Sequence, residues 1–103
     1  MSRKKINPGD RVEVSFTDRE RELVLEHTVA GPEVTDSLER AQRAGGTFVV
    51  YYTLDDLDEL LGYVAAEANH SKSKKLRKEL DTLYDRLRCL MESFDDGQWQ
   101  TAF

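Results

Sequence analysis

Two short segments of the chain have the hydrophobic pattern of β-strands. In Arg11–Phe16, apolar residues alternate with polar ones, which is typical of a strand with one buried face. In residues 47–52, β-branched and aromatic side chains occupy both faces, so we expect this strand to be covered on both sides or to lie at an interface. If one sheet holds both strands, they are compatible with a parallel arrangement and a right-handed crossover.

Between these strands the pattern predicts two short helices. Thr17 and Glu20 have the spacing of a capping box, which predicts a helix over residues 18–28 that Gly31 and Pro32 terminate. The face that we expect this helix to bury consists of Leu23, Val24 and either His27 or Val29. A second helix is predicted over residues 36–44, with Gly45 and Gly46 at its end.

The C-terminal half has the strongest helical signal. Thr53 is a predicted N-cap, and the helix after it should end near residues 69–71. In the last helix, six apolar residues recur at alternating spacings of four and three, as in a heptad seam, and Gly97 ends the pattern. These residues are Leu76, Leu80, Leu83, Leu87, Leu90 and Phe94. Because only a few residues connect the two helices, we expect an antiparallel helical hairpin.

The predicted fold class is therefore α+β: two short strands, each followed by a helix, with a C-terminal antiparallel helical hairpin. With 103 residues the chain has room for one domain. It divides into a strand-helix-helix-strand part over residues 10–52, the hairpin over 53–96 and a tail over 97–103. Two strands make a small sheet, which favours dimerisation or cover from Trp99 and Phe103 of the tail.

Charge and cysteine content narrow the functional classes. The net charge of −5 disfavours a general DNA-binding protein, because attraction to phosphates supplies most non-specific affinity. The single cysteine, Cys89, excludes a disulfide framework and disfavours a zinc site built on cysteines. The start of the chain lacks the apolar stretch of a signal peptide, and no apolar run has the length of a membrane span. We therefore expect a cytoplasmic protein without a membrane association.

The charges of the predicted hairpin are separated by sign. Its turn end carries the basic residues Lys72, Lys74, Lys75, Arg77 and Lys78. Its other end carries the acidic residues Asp55, Asp56, Asp58 and Glu59, together with Glu92, Asp95 and Asp96. A head-to-tail pairing of two hairpins places each basic end on an acidic end, which predicts a salt-sensitive homodimer. The alternative is an ordinary solvated surface with pairs such as Lys75–Glu79 along one helix.

Other functional classes have weaker support in the sequence. A ribbon-helix-helix arrangement over residues 11–44 would make the chain a small DNA-binding regulator, yet Glu13 on its outward strand face is a poor residue for reading DNA. The basic run at a helix start is a candidate anion site, although no aromatic or Gly-rich loop accompanies it. Glu67 and His70 supply only two potential metal ligands. No nucleophile is paired with a base, so we expect no enzyme, no catalytic or metal site and no cofactor.

One stretch resembles known sequences. Residues 53–80 are similar to segments of small uncharacterised bacterial proteins, some of which resemble C-terminal pieces of plasmid-borne hypothetical proteins. The similarity rests on the sequence GYVAAEANH at residues 62–70. The resemblance implies a bacterial origin, and it implies no activity and no site residues. From the sequence, the best functional hypothesis is a non-enzymatic protein–protein interaction or self-association module, with the DNA-binding regulator as the alternative.

Overall fold

Pairs of strands and pairs of helices follow one another along residues 3–97, the part of the chain that the computed structural model describes. The elements are β1 Lys4–Lys5, β2 Arg11–Phe16, α1 Asp18–His27, α2 Pro32–Glu39, β3 Gln42–Ala44, β4 Thr47–Thr53, α3 Leu54–His70, α4 Lys74–Glu92 and β5 Phe94–Asp95. These four helices and two small sheets confirm a mixed α/β architecture that is consistent with the predicted α+β class. Trp99 and Phe103, for which a covering role was predicted, lie outside the described residues.

The main sheet has three strands in the order β2-β4-β3, and both pairings are antiparallel. The parallel arrangement considered from the sequence is therefore wrong. Val14 lies opposite Val50, and Phe16 lies opposite Phe48, so the apolar alternations of β2 and β4 point to the same side. That side is covered by helices, and its residues Val12, Val14, Phe16, Val50 and Tyr52 are all buried.

The segment between α1 and β4 differs from the prediction. Gly31 is the N-cap of α2 and Pro32 its first residue, a position where the missing proline N–H costs no hydrogen bond. The pair that was expected to terminate one helix therefore begins the next one, and α2 ends at Glu39. This leaves Gln42–Ala44 free to pair with β4 across a turn in which Gly45 and Gly46 have φ of +60° and +88°. The predicted helix over residues 36–44 is wrong at both ends.

The predicted start of α1 is confirmed at its cap. The Thr17 hydroxyl accepts the amide of Glu20 at 3.1 Å, and the Glu20 carboxylate accepts the amide of Thr17 at 3.0 Å. Leu23 and Val24 are buried as expected, whereas Val29 is 80% exposed and does not belong to the buried face. The helix ends at His27, before Val29, so the helical periodicity no longer applies there.

Helices α3 and α4 pack against each other and complete the core. Leu80, Leu83 and Leu87 of α4 are fully buried, and Leu76 and Leu90 are half-buried beside them. Phe94 lies outside the helix, because α4 ends at Glu92 and the chain continues as β5. There it pairs in parallel with β1, and the amides of Lys4 and Ile6 donate to the carbonyls of Ser93 and Asp95 at 2.8 and 2.9 Å.

One buried side chain anchors α2 to the sheet. The Tyr52 hydroxyl donates to the Val34 carbonyl at 2.6 Å, and the residue is 1% exposed. Burial raises the pKa of this phenol above its ordinary value. Its ring also meets Phe16 edge-on, with centroids 6.4 Å apart. This contact fixes where the N-terminal turn of α2 lies relative to β4.

Candidate interaction site

The groove between α3 and α4 brings together residues from opposite ends of the hairpin sequence. It has a volume of about 330 Å³. Asp58 and Gly62 of α3 line it together with Tyr84 and Glu92 of α4. The start of α3 therefore lies beside the end of α4, so the two helices run antiparallel. Asp58 and Glu92 are both exposed, and Arg88 lines the groove one turn before Glu92, so this end carries two negative charges and one positive charge.

Three other residues of the predicted acidic end have separate roles. The Asp56 carboxylate accepts the amide of Thr53 at 3.2 Å and completes the N-terminal cap of α3. A hydrogen bond with Glu33, together with loss of hydration and the charge of Glu33, raises the pKa of the Glu59 carboxyl. Asp96 is 7% exposed, so it does not contribute to the exposed acidic surface that the sequence predicted.

The predicted basic end is divided between two faces of α4. Lys75 and Lys78 line a groove of about 320 Å³ between α1 and α4. Arg77 donates to the carbonyl of Ser71 at 2.9 Å and so holds the connection between the helices. Within residues 3–97, none of the four lysines of this run forms an ion pair.

Lys74 lies on the same side of α4 as Glu92 of the acidic end. It precedes Glu92 by 18 residues, which is about five turns of helix, so the two side chains leave α4 in the same direction. Their Cα atoms are about 27 Å apart along the axis, at a rise of 1.5 Å per residue. Glu92 lines the groove between α3 and α4, and Lys78, one turn after Lys74, lines the groove between α1 and α4, so Lys74 lies on the outward side of α4 between the two grooves.

Two arginine–glutamate pairs join α1 to α4 and border the groove between them. Arg19 donates to both carboxylate oxygens of Glu79 at 2.8 Å, and Arg86 donates to both oxygens of Glu20 at 2.8 and 2.9 Å. The hydrogen bond from Arg19 lowers the pKa of the Glu79 carboxyl. Sequence reasoning instead placed Glu79 with Lys75, because spacing along one helix gives no information about partners about 60 residues away.

The outward face of the main sheet holds a third groove, of about 650 Å³. Its floor contains Val49 and Tyr51 of β4, and Tyr51 is 53% exposed. Arg11 of β2 and Arg40 at the end of α2 stand at its rim. We expected both faces of β4 to be covered or at an interface. In the part of the chain that the structure describes, this outer face is open.

The geometry lends no support to the alternative sites. In a ribbon-helix-helix dimer the strand pairs with its copy, whereas β2 pairs with β4 of its own chain. His70 directs Nδ1 to the Ala66 carbonyl at 2.7 Å, which satisfies it within its own helix. Among residues 3–97 there is no group of three potential metal ligands, and no helix has the length and hydropathy of a membrane span. Cys89 is exposed with a free thiol.

Comparison of the chain with protein-family models, with curated proteins and with solved structures found no match. The bacterial origin implied by the resemblance of residues 53–80 therefore stays a prediction, and the surfaces described above carry the functional argument.

Proposed function

We propose that this protein is a non-enzymatic self-association module in which two copies pair through the surface of α3 and α4. The observation that carries the proposal is the placement of Lys74 and Glu92 on one side of α4, about five turns apart. In a head-to-tail pair related by a two-fold axis, Lys74 of one copy lies over Asp58 and Glu92 of the other, and the same contact forms twice.

The charges at the two ends have no strong partner within their own chain. Lys74 forms no ion pair with any residue of 3–97, and Asp58 and Glu92 form none either. A cation from a second copy gives Asp58 and Glu92 an opposite charge that their own chain does not supply as an ion pair, so the electrostatics favour association.

The centre of the same surface is suited to packing. Gly62 and Ala65 of α3 leave space above the helix, and a Cβ on Gly62 would have open space around it. Tyr84 and Met91 of α4 are half-buried beside them and add apolar area. A central apolar region with a charged rim is the usual composition of a protein interface. The two-fold axis that places Lys74 over Glu92 crosses α4 beside Tyr84, and Met91 lies about 11 Å further along the helix, next to Glu92 at the charged rim.

The test is the molar mass in solution, measured by light scattering across a salt series. We expect a dimer at low ionic strength whose fraction falls as salt is added, because the contacts at the rim are exposed and screened. Asp58→Lys should shift the protein to monomer by placing like charges opposite each other. Adding Lys74→Glu to that variant should restore part of the dimer, because positions 58 and 74 then carry opposite charges again while Glu92 keeps its negative charge.

Glu26→Lys is the matched control. Glu26 is exposed on α1, forms no ion pair within residues 3–97, and its substitution changes the net charge by the same amount as Asp58→Lys. The control should leave the dimer unchanged. A wild-type protein that is monomeric at every salt concentration contradicts the proposal, as does a Glu26→Lys variant that dissociates as readily as Asp58→Lys.

A further inference from the structure

The groove on the outward face of the main sheet lies away from the surface of α3 and α4. It is bordered by β4, by the short strand β3 and by the last turn of α2. The helices cover the opposite face of the sheet, where Val14 and Val50 are buried. A ligand in this groove therefore contacts side chains and backbone that the proposed dimer leaves exposed.

The edge of β4 beside this groove is incomplete. Strand β3 pairs with β4 only from Ala44, opposite Thr47, to Gln42, opposite Val49, whereas β4 continues to Thr53. Before Gln42 the chain turns away, and the amide of Ala41 donates to Leu38 in the last turn of α2. On the side of β4 that β3 covers, Tyr51 is thus left unpaired, whereas the next residue facing this edge, Thr53, donates its N–H to the Asp56 carboxylate at 3.2 Å.

The backbone of Tyr51 points to this open edge. In an antiparallel ladder, the N–H and C=O of alternate residues point to opposite neighbours. The Ser15 carbonyl accepts Arg86 at 2.8 Å on the outer edge of β2, so its partner Val49 directs its backbone away from β2 and towards β3. Tyr51 lies two residues after Val49, so its backbone N–H and C=O point in the same direction. No strand residue of 3–97 pairs with Tyr51 on this side, and no backbone hydrogen bond joins its N–H or C=O to the nearby Arg40 or Ala41.

The charge around this edge is positive, although the chain as a whole carries −5. Arg11 forms no ion pair within residues 3–97, and Arg40 is 3.8 Å from Asp36 with its side chain 81% exposed. The acidic residue of the groove, Glu13, lies 3.5 Å from the Tyr51 hydroxyl. Arginine presents several donors in a planar arrangement that matches carboxylates, so two exposed arginines beside an open strand edge favour an acidic extended chain.

We propose that the groove binds an acidic peptide segment in extended conformation, which pairs with the backbone of Tyr51 and places carboxylates against Arg11 and Arg40. Such strand addition derives affinity from main-chain hydrogen bonds and specificity from alternate side chains. The alternation lets carboxylates of the peptide point to the outward face while its backbone extends the line of β3. Val49 and the ring of Tyr51 provide apolar contact for a neighbouring side chain.

The test titrates the protein with a six-residue peptide of alternating glutamate and valine, and with a lysine–valine peptide of the same length. We expect the glutamate–valine peptide to bind at least tenfold more tightly. The amide of Tyr51 should exchange more slowly with solvent in its presence, as followed by NMR. The variant Arg11→Gln/Arg40→Gln should weaken binding at least tenfold while its circular dichroism stays that of the wild type.

The variant Lys75→Gln/Lys78→Gln is the matched control, because it removes two positive charges from the groove between α1 and α4. It should bind the peptide like the wild type, and so should the Asp58→Lys variant. The proposal is overturned if no binding is detected at millimolar peptide, if the lysine–valine peptide or free glutarate binds equally well, or if the two paired variants lose affinity alike. Slower exchange elsewhere without any change at Tyr51 also overturns it.

Discussion

Replacing Tyr52 by phenylalanine tests the contact that anchors α2 to the sheet. The substitution removes one hydroxyl that donates to the Val34 carbonyl at 2.6 Å and leaves the ring in its place against Phe16. A neutral buried hydrogen bond contributes about 0.5–1.5 kcal/mol net. The Val34 carbonyl lies within α2 and is available to the helical ladder, so it is not fully deprived of donors. We expect Tyr52→Phe to lower the free energy of unfolding by about 1 kcal/mol, a fall in Tm of roughly 4–8 °C for a domain of this size.

The assay is urea and thermal unfolding followed by circular dichroism, with Tyr51→Phe as the matched control. Tyr51 is the neighbouring residue of the same strand, is 53% exposed, and has its hydroxyl 3.5 Å from Glu13. Its substitution should change the free energy of unfolding by less than about 0.5 kcal/mol. If the two variants lose the same stability, the Tyr52 contact does not anchor α2 in the way described.

The Tyr52→Phe variant should also differ from the wild type at alkaline pH. The pKa of Tyr52 is raised in the folded state above the value of 10.0 of a free phenol. The neutral form of the Tyr52 phenol therefore stabilises the folded state. This stabilisation is fully present below pH 10 and is lost as the pH rises through the folded-state pKa. The wild type should lose about 1.4 kcal/mol per pH unit from this group above pH 10, and Tyr52→Phe should not. Plots of the free energy of unfolding against pH for the two proteins should therefore cross within about one pH unit above pH 10. Parallel plots would refute the reasoning.

Two further predictions concern the ion pairs between α1 and α4. Glu20→Gln keeps a side chain able to complete the capping box but removes the charge that Arg86 contacts. We expect it to lower the free energy of unfolding by about 1 kcal/mol. A double-mutant cycle with Arg86→Met should show coupling between the two sites. Because the pKa of Glu79 is lowered in the folded state, its ionised carboxylate stabilises the fold at pH values above 4.5, the ordinary carboxyl pKa. This stabilisation is lost as the pH falls through the folded-state pKa. Acid unfolding should therefore depend less on pH in Arg19→Gln than in the wild type, and equal slopes would contradict the role of this pair.

Local chemistry explains which parts of the fold were predictable. The capping boxes at Thr17 and Thr53, the strand alternation of Arg11–Phe16 and the leucine periodicity of α4 depend on residues within a few positions of each other. Interactions at such short range form in the same way whatever the rest of the chain does. For this reason the starts of α1 and α3, and the buried position of Leu83, followed from the sequence.

The tertiary structure decided where short-range signals were ambiguous. Residues 42–44 have no pattern of their own, and they become a strand only because β4 offers a free edge across the Gly45–Gly46 turn. Phe94 continues the heptad spacing, yet pairing with β1 draws it into a strand. In the same way, Lys75, Arg77 and Lys78 are close in sequence, yet the two lysines line the groove beside α1 while Arg77 contacts the connection to α3. The sequence by itself determined the local elements and the amount of charge. The packing of α1 on α4 and of β3 on β4 decided which charges share a surface, because those contacts join residues that are distant along the chain.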